Sequence, residues 1–162
     1  MRAILVITVA ALVQLAVPAA AAATTYNDTV AGVEIAATST QGTFVGTARG
    51  DLPGAWRAVV EHTQLSPNAT ITGGSFRLVT TTLQTVVGTF DPGGAVIRTN
   101  PGTGCTNQTY TVQDTLSNVG VGGPGSGTGS FQVVLTHYRT FVPFLGCVTY
   151  SASVVGALSL NF

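Results

Sequence analysis

The last fifteen residues of the chain alternate between two kinds of side chain. Every second residue from Val148 to Phe162 is largely apolar. The residues between them, which begin with Thr149, are mostly polar or small. A period of two over this length is typical of a long β-strand with one buried face and one wet face. The pattern predicts a strand over 147–161 in an antiparallel sheet, because such sheets commonly leave one face in water.

The same alternation recurs along the chain and predicts about nine strands. They lie at 30–38, 42–49, 54–63, 69–80, 84–90, 95–99, 107–117, 129–140 and 147–161. Turn signals separate them, such as Asp91-Pro92-Gly93-Gly94, and the Gly-rich run 120–129 indicates a hairpin loop. We therefore expect an all-β antiparallel meander of about eight or nine strands. We favour a barrel over a sandwich because a closed barrel has no free edge.

The first residues have the features of a secretory signal peptide. A positive start at Arg2 is followed by an apolar run over 4–17 and by alanines up to Ala23, which offer small-residue cleavage sites. The run is too short for a membrane span. We expect a signal peptide over 1–23, a single β domain over 24–162, no transmembrane span, and a secreted or extracytoplasmic location.

Charge is sparse and balanced in this sequence. Six basic residues, all arginine, face six acidic ones, so the formal net charge is +0. Such a chain has no overall field that would attract nucleic acid or anionic lipid, and we expect no nucleic-acid partner. The sequence leaves the oligomeric state open.

Cys105 and Cys147 are the only cysteines. In an exported protein an even pair indicates a disulfide. A metal site built on two cysteines would need further His or Cys ligands at suitable spacing, which this sequence lacks near them. We predict the Cys105–Cys147 disulfide, no metal site and no cofactor.

The strand pattern predicts a row of inward side chains that could bind a ligand or take part in a reaction. His137 follows Phe131 at even spacing, which places it on the apolar face of its strand. If Leu116 lies opposite Phe131, Tyr110 lies opposite His137, and Tyr150 on the last strand can lie beside it. This register predicts an inward row of Tyr110, His137 and Tyr150, and it gives Asp114 an inward position suited to a salt bridge with an arginine.

Strict alternation of strand direction predicts which residues share a mouth of the barrel. It places Trp56, His137 and Arg139 at the end that carries the disulfide, and His62 about 20 Å away at roughly 3.3 Å per residue. The candidate ligand-binding residues at this mouth are then Trp56, Tyr110, His137, Arg139 and Tyr150. Aromatic walls with a few polar groups suit a small hydrophobic ligand.

Three functions fit these residues. The first is a non-catalytic module that binds a small molecule or belongs to the cell envelope or surface. The second is a barrel isomerase or cyclase for a small apolar substrate, with His137 and Tyr110 as weak catalytic candidates for acid–base chemistry and hydrogen bonding. The third is a structural or adhesive protein whose barrel is filled by a hydrogen-bonded tyrosine–histidine row.

Residues 71–78, which contain Gly73-Gly74, resemble the Gly-Gly strand of dirigent and allene oxide cyclase barrels. The run Gly-Thr-Phe-x-Gly-x-x-x-Gly at 42–50 is similar in character. Those families are eight-stranded antiparallel barrels that guide or catalyse the cyclisation and coupling of apolar substrates. The Thr-Gly that follows the glycine pair in these families is absent here, so the resemblance implies a barrel and transfers no catalytic residue. Gly54-x-Trp56 also resembles a lipocalin strand motif.

The change of apolar parity across Gly73-Gly74 predicts a β-bulge.

Overall fold

A computed structural model describes residues 22–100 and 103–162, so nearly all of the predicted signal peptide lies outside the described residues. The described chain contains strands and no helix, and therefore no helix able to span a membrane. All nine predicted strands are confirmed, the first beginning at Thr25 rather than at residue 30. They are β1 Thr25–Ala37, β2 Gln41–Gly50, β3 Gly54–His62, β4 Ala69–Thr80, β5 Thr85–Phe90, β6 Ala95–Asn100, β7 Gln108–Val121, β8 Gly127–Val142 and β9 Gly146–Asn161.

The nine strands close into a barrel with eight positions around its wall. All pairings are antiparallel, and the β3–β4 and β1–β9 pairings complete the ring. β5 and β6 share one position, because both pair with β4 on one side and with β7 on the other. The predicted antiparallel barrel is confirmed, with one strand position divided between two short strands.

The turn that divides this position keeps the chain running in one direction. Asp91 N donates to Thr115 O at 3.1 Å, Gly93 N donates to Ile71 O at 2.9 Å, and Ile71 N donates to Gly94 O at 2.7 Å. The turn therefore stays bonded to both neighbouring strands while it bulges from the wall. Because it does not reverse the chain, every later strand runs opposite to the direction that a strict nine-strand meander would give.

This turn decides which residues share an end of the barrel. β1, β3 and β8 all finish at the end where β7 and β9 begin, and the Cys105–Cys147 disulfide lies there with its Cα atoms 5.2 Å apart. We call this end the disulfide rim. The predicted arrangement was wrong: His62 ends β3 at the disulfide rim, and Trp56 lies six residues deeper, about 20 Å along the strand.

The opposite end of the barrel is filled by apolar side chains, and we call it the packed end. Its most buried members are at most 1% exposed, namely Leu78, Val86, Val119 and Leu160. Tyr26 and Phe162 stack beside them with ring centroids 4.9 Å apart. Burying each large apolar side chain contributes about 1.5–3 kcal/mol, so this end supplies much of the stability of the barrel.

The pairing of β7 with β8 differs from the predicted register by two residues. Leu116 lies opposite Gly129 rather than Phe131, which places Tyr110 opposite Leu135 and Gln108 opposite His137. A shift of two keeps each side chain on its face and changes only its partners. Tyr110 and His137 therefore still point inward, on neighbouring strands but one step out of line.

Two of the register shifts in the sheet bear on the predicted faces of the strands. In β4, Glu61 pairs with Gly73 while His62 pairs with Ile71, which confirms the predicted bulge at the glycine pair. In β9, the register shifts at Tyr150, which becomes the unpaired extra residue and is 67% exposed. The predicted inward position of Tyr150 was wrong, because the bulge turns its ring outward; Ala152 lies opposite His137 instead.

The β8–β9 hairpin extends beyond the barrel wall at the disulfide rim. Pairing of β7 with β8 ends at His137, and pairing of β1 with β9 ends at Ser153. Residues 138–152 consequently form ladder pairs only within the hairpin. We call this segment the projecting hairpin. From His137 to Val142 it rises about 17 Å at roughly 3.3 Å per residue.

Candidate functional site

A cavity of about 260 Å³ lies inside the barrel, between the packed end and the disulfide rim. Most of the side chains that line it are apolar, and they come from all eight strand positions. Its largest lining side chains include Phe44, Phe76, Phe90, Phe131, Leu135 and Trp56. A concave and mostly apolar space of this kind suits a small ligand with little charge.

The polar side chains that line the cavity lie at the disulfide rim. Glu34, His62 and His137 lie near the ends of β1, β3 and β8. Thr38, Ser39 and Gln64, from the loops beside this rim, complete the polar lining and are exposed to solvent. The cavity therefore has an apolar interior and a polar mouth at the disulfide rim.

Glu34 and His137 face each other across the mouth. His137 Nε2 lies 3.3 Å from Glu34 Oε2, and the two side chains are 17% and 13% exposed. The two atoms are within ion-pair distance but are not aligned as a hydrogen bond, so buried Nε2 has no hydrogen-bond partner. Ala152 stands between these strands opposite His137, and its small side chain leaves room for the contact.

Tyr110 packs against His137 just outside the cavity lining. Their ring centroids are 5.4 Å apart, and the Tyr110 side chain is buried. Burial raises the pKa of the Tyr110 phenol above its ordinary value, although nearby Arg98 and Arg139 act in the opposite direction. At neutral pH the phenol keeps its proton, which suits a hydrogen-bonding role and not that of a base.

Two arginines meet on a single amide beside this tyrosine. Guanidinium groups only donate hydrogen bonds, so the Gln108 amide places its oxygen toward them. In that orientation the oxygen accepts from Arg139 Nη1 at 2.7 Å and from Arg98 Nη2 at 2.8 Å, and the amide nitrogen donates to the Tyr110 hydroxyl at 3.1 Å. These two guanidinium groups place positive charge on the β7 side of the projecting hairpin's base, while Glu34 and Glu61 lie near the ends of β1 and β3 on the same rim.

His62 is held by its own strand end. Its Nδ1 lies 2.7 Å from Thr63 O, which fixes Nδ1 as a donor and leaves Nε2 as the acceptor of the neutral ring. In the described parts of the chain, no group of three or more His, Cys, Asp or Glu side chains could hold a metal ion. His62 and His137 both line the cavity.

Trp56 lies deep in the cavity, where β2 and β1 carry glycines whose lack of a side chain leaves space beside its indole. Gly32 and Gly46 face each other on β1 and β2, and Gly46 lies opposite Trp56. A Cβ at Gly32 would stand 2.6 Å from Trp56 Cζ2, so only glycine leaves room for the indole. The buried Nε1–H of Trp56 has no hydrogen-bond partner, which is unfavourable in an apolar space.

The structure brings together only part of the predicted site. Trp56 and His137 line the cavity, and Tyr110 and Arg139 lie behind and beside its mouth. Tyr150 lies outside, with its ring centroid 6.5 Å from that of Tyr138. Sequence reasoning missed Glu34, whose signal was its even spacing from Val30 on the apolar face of β1.

The predicted salt bridge of Asp114 to an arginine is also wrong. Asp114 Oδ1 accepts from Thr115 N at 2.8 Å, and buried Oδ2 has no hydrogen-bond partner. The carboxylate packs on Gly94, where any Cβ would overlap it. Burial raises the pKa of Asp114.

Comparison of the chain with protein-family models, with curated proteins and with solved structures gives no match. The candidate site is therefore interpreted from its own geometry.

Proposed function

We propose that this protein binds a small, largely apolar molecule inside the barrel without transforming it. The observation that carries the proposal is the cavity of about 260 Å³ with its apolar interior and its polar mouth at the disulfide rim. A barrel that served only as a structural element would gain stability by filling this space, because cavities in a core are destabilising.

The polar atoms of the cavity describe the ligand that would fit. Trp56 Nε1–H offers a donor at depth, and His137 Nε2 lies without a hydrogen-bond partner at the mouth. Among the lining residues that the structure describes, Glu34 and the two histidines are the only titratable groups, and none is an arginine that could pair with a ligand carboxylate. The expected ligand is uncharged, with a hydrogen-bond acceptor on its apolar body and a second polar group toward the mouth.

Trp56 provides the test, because it is the only tryptophan in the chain and lines the cavity. Titration with the uncharged apolar probe N-phenyl-naphthylamine should change Trp56 fluorescence in a saturable way. His137→Ala should weaken binding because it removes the polar ring at the mouth. It should also lower the unfolding free energy by about 1–3 kcal/mol, because it removes the packing on Tyr110 and leaves Glu34 without its neighbour.

Two variants control this titration. Ala58→Leu places extra methyl groups in the cavity and should abolish the response, because Ala58 lines it. Leu83→Gly changes an exposed residue in the β4–β5 turn, at the packed end of the barrel, and should leave the response unchanged. A wild-type protein that shows no saturable response would contradict the proposal.

A second candidate is an isomerase or cyclase that acts on the same kind of molecule. The observation that favours it is the Glu34–His137 contact of 3.3 Å at the edge of an apolar space, since a carboxylate beside an imidazole can orient a general base. Chromatographic separation and NMR spectroscopy of a co-purified ligand after incubation with wild-type protein and with Glu34→Gln distinguish the two functions, because an isomerisation changes the structure of the molecule and not its mass. Conversion by the wild type alone would indicate catalysis.

We also propose an extracytoplasmic location. Disulfides persist in oxidising compartments, and the Cys105–Cys147 bond supports such a location. The intact mass of the protein isolated from its source would show whether residues up to about Ala23 have been removed, as the signal peptide predicts. A full-length mass would argue against export.

A further inference from the structure

The projecting hairpin ends in large apolar side chains that face solvent. Phe141 is 65% exposed, Leu145 is 74% exposed and Phe144 is fully exposed. We call these three residues the apolar tip. Clustered apolar side chains at a protruding point are unfavourable in water and mark a surface that contacts something else.

The turn at the apolar tip places Phe144 where a glycine would be more stable. Leu145 N donates to Val142 O at 3.1 Å, with Pro143 and Phe144 between them. Phe144 has φ 69°, and a turn with proline second and a positive φ third is of type II, which favours glycine or asparagine at that third position. A strained, fully exposed aromatic residue at this position points to a function for its ring.

Leu83 shows what such a residue looks like in isolation. It also has a positive φ of 63° and is 84% exposed, in the turn between β4 and β5. Its neighbours are threonines and a glutamine, whereas Phe144 is surrounded by Val142, Pro143 and Leu145. Leu83 lies at the packed end, away from the cavity mouth, so it provides a matched control for Phe144.

Charge at the base of the hairpin complements an anionic surface. The chain as a whole is neutral, and Glu34 lies on the β1 side of the hairpin base, but Arg98 and Arg139 converge on the Gln108 oxygen on its β7 side. The apolar tip stands above them, about 17 Å beyond His137 at its farthest. Apolar side chains that penetrate, with arginines behind them at the level of lipid headgroups, form the arrangement by which proteins hold to the face of a bilayer.

We propose that the apolar tip inserts into the surface of a bilayer containing anionic lipid and holds the cavity mouth toward the membrane. The Cys105–Cys147 disulfide ties the start of β9 to the loop before β7, so the hairpin keeps a fixed direction relative to the mouth. This docking stands on the hairpin and the arginines alone. Its use, the exchange of an apolar ligand between bilayer and cavity, rests on the proposed function.

The test is flotation of the full mature chain with vesicles of phosphatidylcholine, with and without phosphatidylglycerol. We expect binding to the anionic vesicles that weakens in high salt. Phe144→Gly removes the ring and relieves the positive φ, so the fold is kept. Its vesicle partition coefficient should fall about tenfold, given the apolar surface that a buried phenylalanine contributes. Leu83→Gly makes the same change at the other end and should bind as the wild type does.

Each contrary result overturns a definite part of the proposal. A wild type that stays with the soluble fraction excludes the bilayer as partner and leaves a protein as the occupant of the tip. Equal losses in Phe144→Gly and Leu83→Gly exclude the tip as the contact, and equal binding to neutral and anionic vesicles excludes the arginine contribution. Ala58→Leu separates the two proposals, because it should lose the probe response and keep vesicle binding.

Discussion

Asp28 is a buried carboxylate on the inner face of β1 whose hydrogen bonding is incomplete. Its side chain is 4% exposed, Oδ1 accepts from Leu52 N at 3.0 Å, and Oδ2 has no hydrogen-bond partner. Burial raises the pKa of Asp28 above 3.8, and this effect outweighs the hydrogen bond from Leu52. The charged form of Asp28 is therefore unfavourable in the folded barrel.

The raised pKa makes stability depend on pH in a definite direction. Between pH 3.8 and the folded pKa, the folded state binds more protons at Asp28 than the unfolded state does. The contribution of Asp28 is thus fully present below pH 3.8 and is lost as pH rises through the folded pKa. Asp28→Asn keeps the acceptor for Leu52 N and removes the charge, so it should raise the unfolding free energy at neutral pH by about 1 kcal/mol.

Thermal unfolding of the wild type and Asp28→Asn across acid and neutral pH checks this expectation. The two proteins should converge below the ordinary carboxyl pKa of 3.8, where Asp28 is protonated in both folded and unfolded states. Asp114 also has a raised pKa and is present in both proteins, so it cancels from the difference. A less stable Asp28→Asn at neutral pH would mean that the charged carboxylate stabilises the barrel.

At the level of strands, the alternation of apolar and polar residues predicted where the strands lie and which side chains face inward. Side-chain parity follows from a period of two, which is why all nine strands and the inward faces of His137 and Trp56 were predictable. Register and bulges depend on the partner strand. Thr149, Tyr150 and Ser151 all suit a strand, and nothing among them signals that Tyr150 would be left unpaired.

The disulfide acts on one element more than on the rest of the barrel. It closes a loop of 42 residues, and its removal in Cys105→Ser/Cys147→Ser should lower the unfolding free energy by about 4 kcal/mol on the chain-entropy model. Hydrogen exchange should become faster in residues 138–152, which have no ladder partner outside the hairpin. Exchange at Leu78 and Leu160 in the packed end should become faster only to the extent set by the lower free energy of global unfolding. Uniform acceleration would contradict a local role.

At the level of the whole molecule, the barrel divides into a packed end that stabilises the fold and a disulfide rim at which the cavity has its polar lining. A ligand that occupies only the folded cavity stabilises the protein by mass action. N-phenyl-naphthylamine at about 100 times its dissociation constant should raise the unfolding free energy by about 2.7 kcal/mol, seen as a higher melting temperature. Ala58→Leu should show no such rise. A rise that persists in Ala58→Leu would place the probe elsewhere.

His137 was predicted at the disulfide end, but the placement of His62 beside it at the same end could not be predicted, because it depends on the count of strand positions. Nine strands were predicted and nine are present, yet the turn at 91–94 merges two of them into one position. Whether a Pro-Gly-Gly turn reverses a chain or continues it depends on its bonds to Ile71 and Thr115, which lie far away in sequence. Glu34 entered the site for the same reason, since it meets His137 only across the closed wall.

The divided position has an arithmetic consequence. In a closed ring in which every strand is antiparallel to both neighbours, the strand directions must alternate. Only a ring with an even number of positions allows this. An odd chain of nine antiparallel strands could not close. Because the turn at 91–94 lets β5 and β6 run in the same direction at one position, the ring has an even number of positions. A deletion that joined β5 and β6 smoothly would preserve closure, whereas one that turned them into a hairpin would open the barrel.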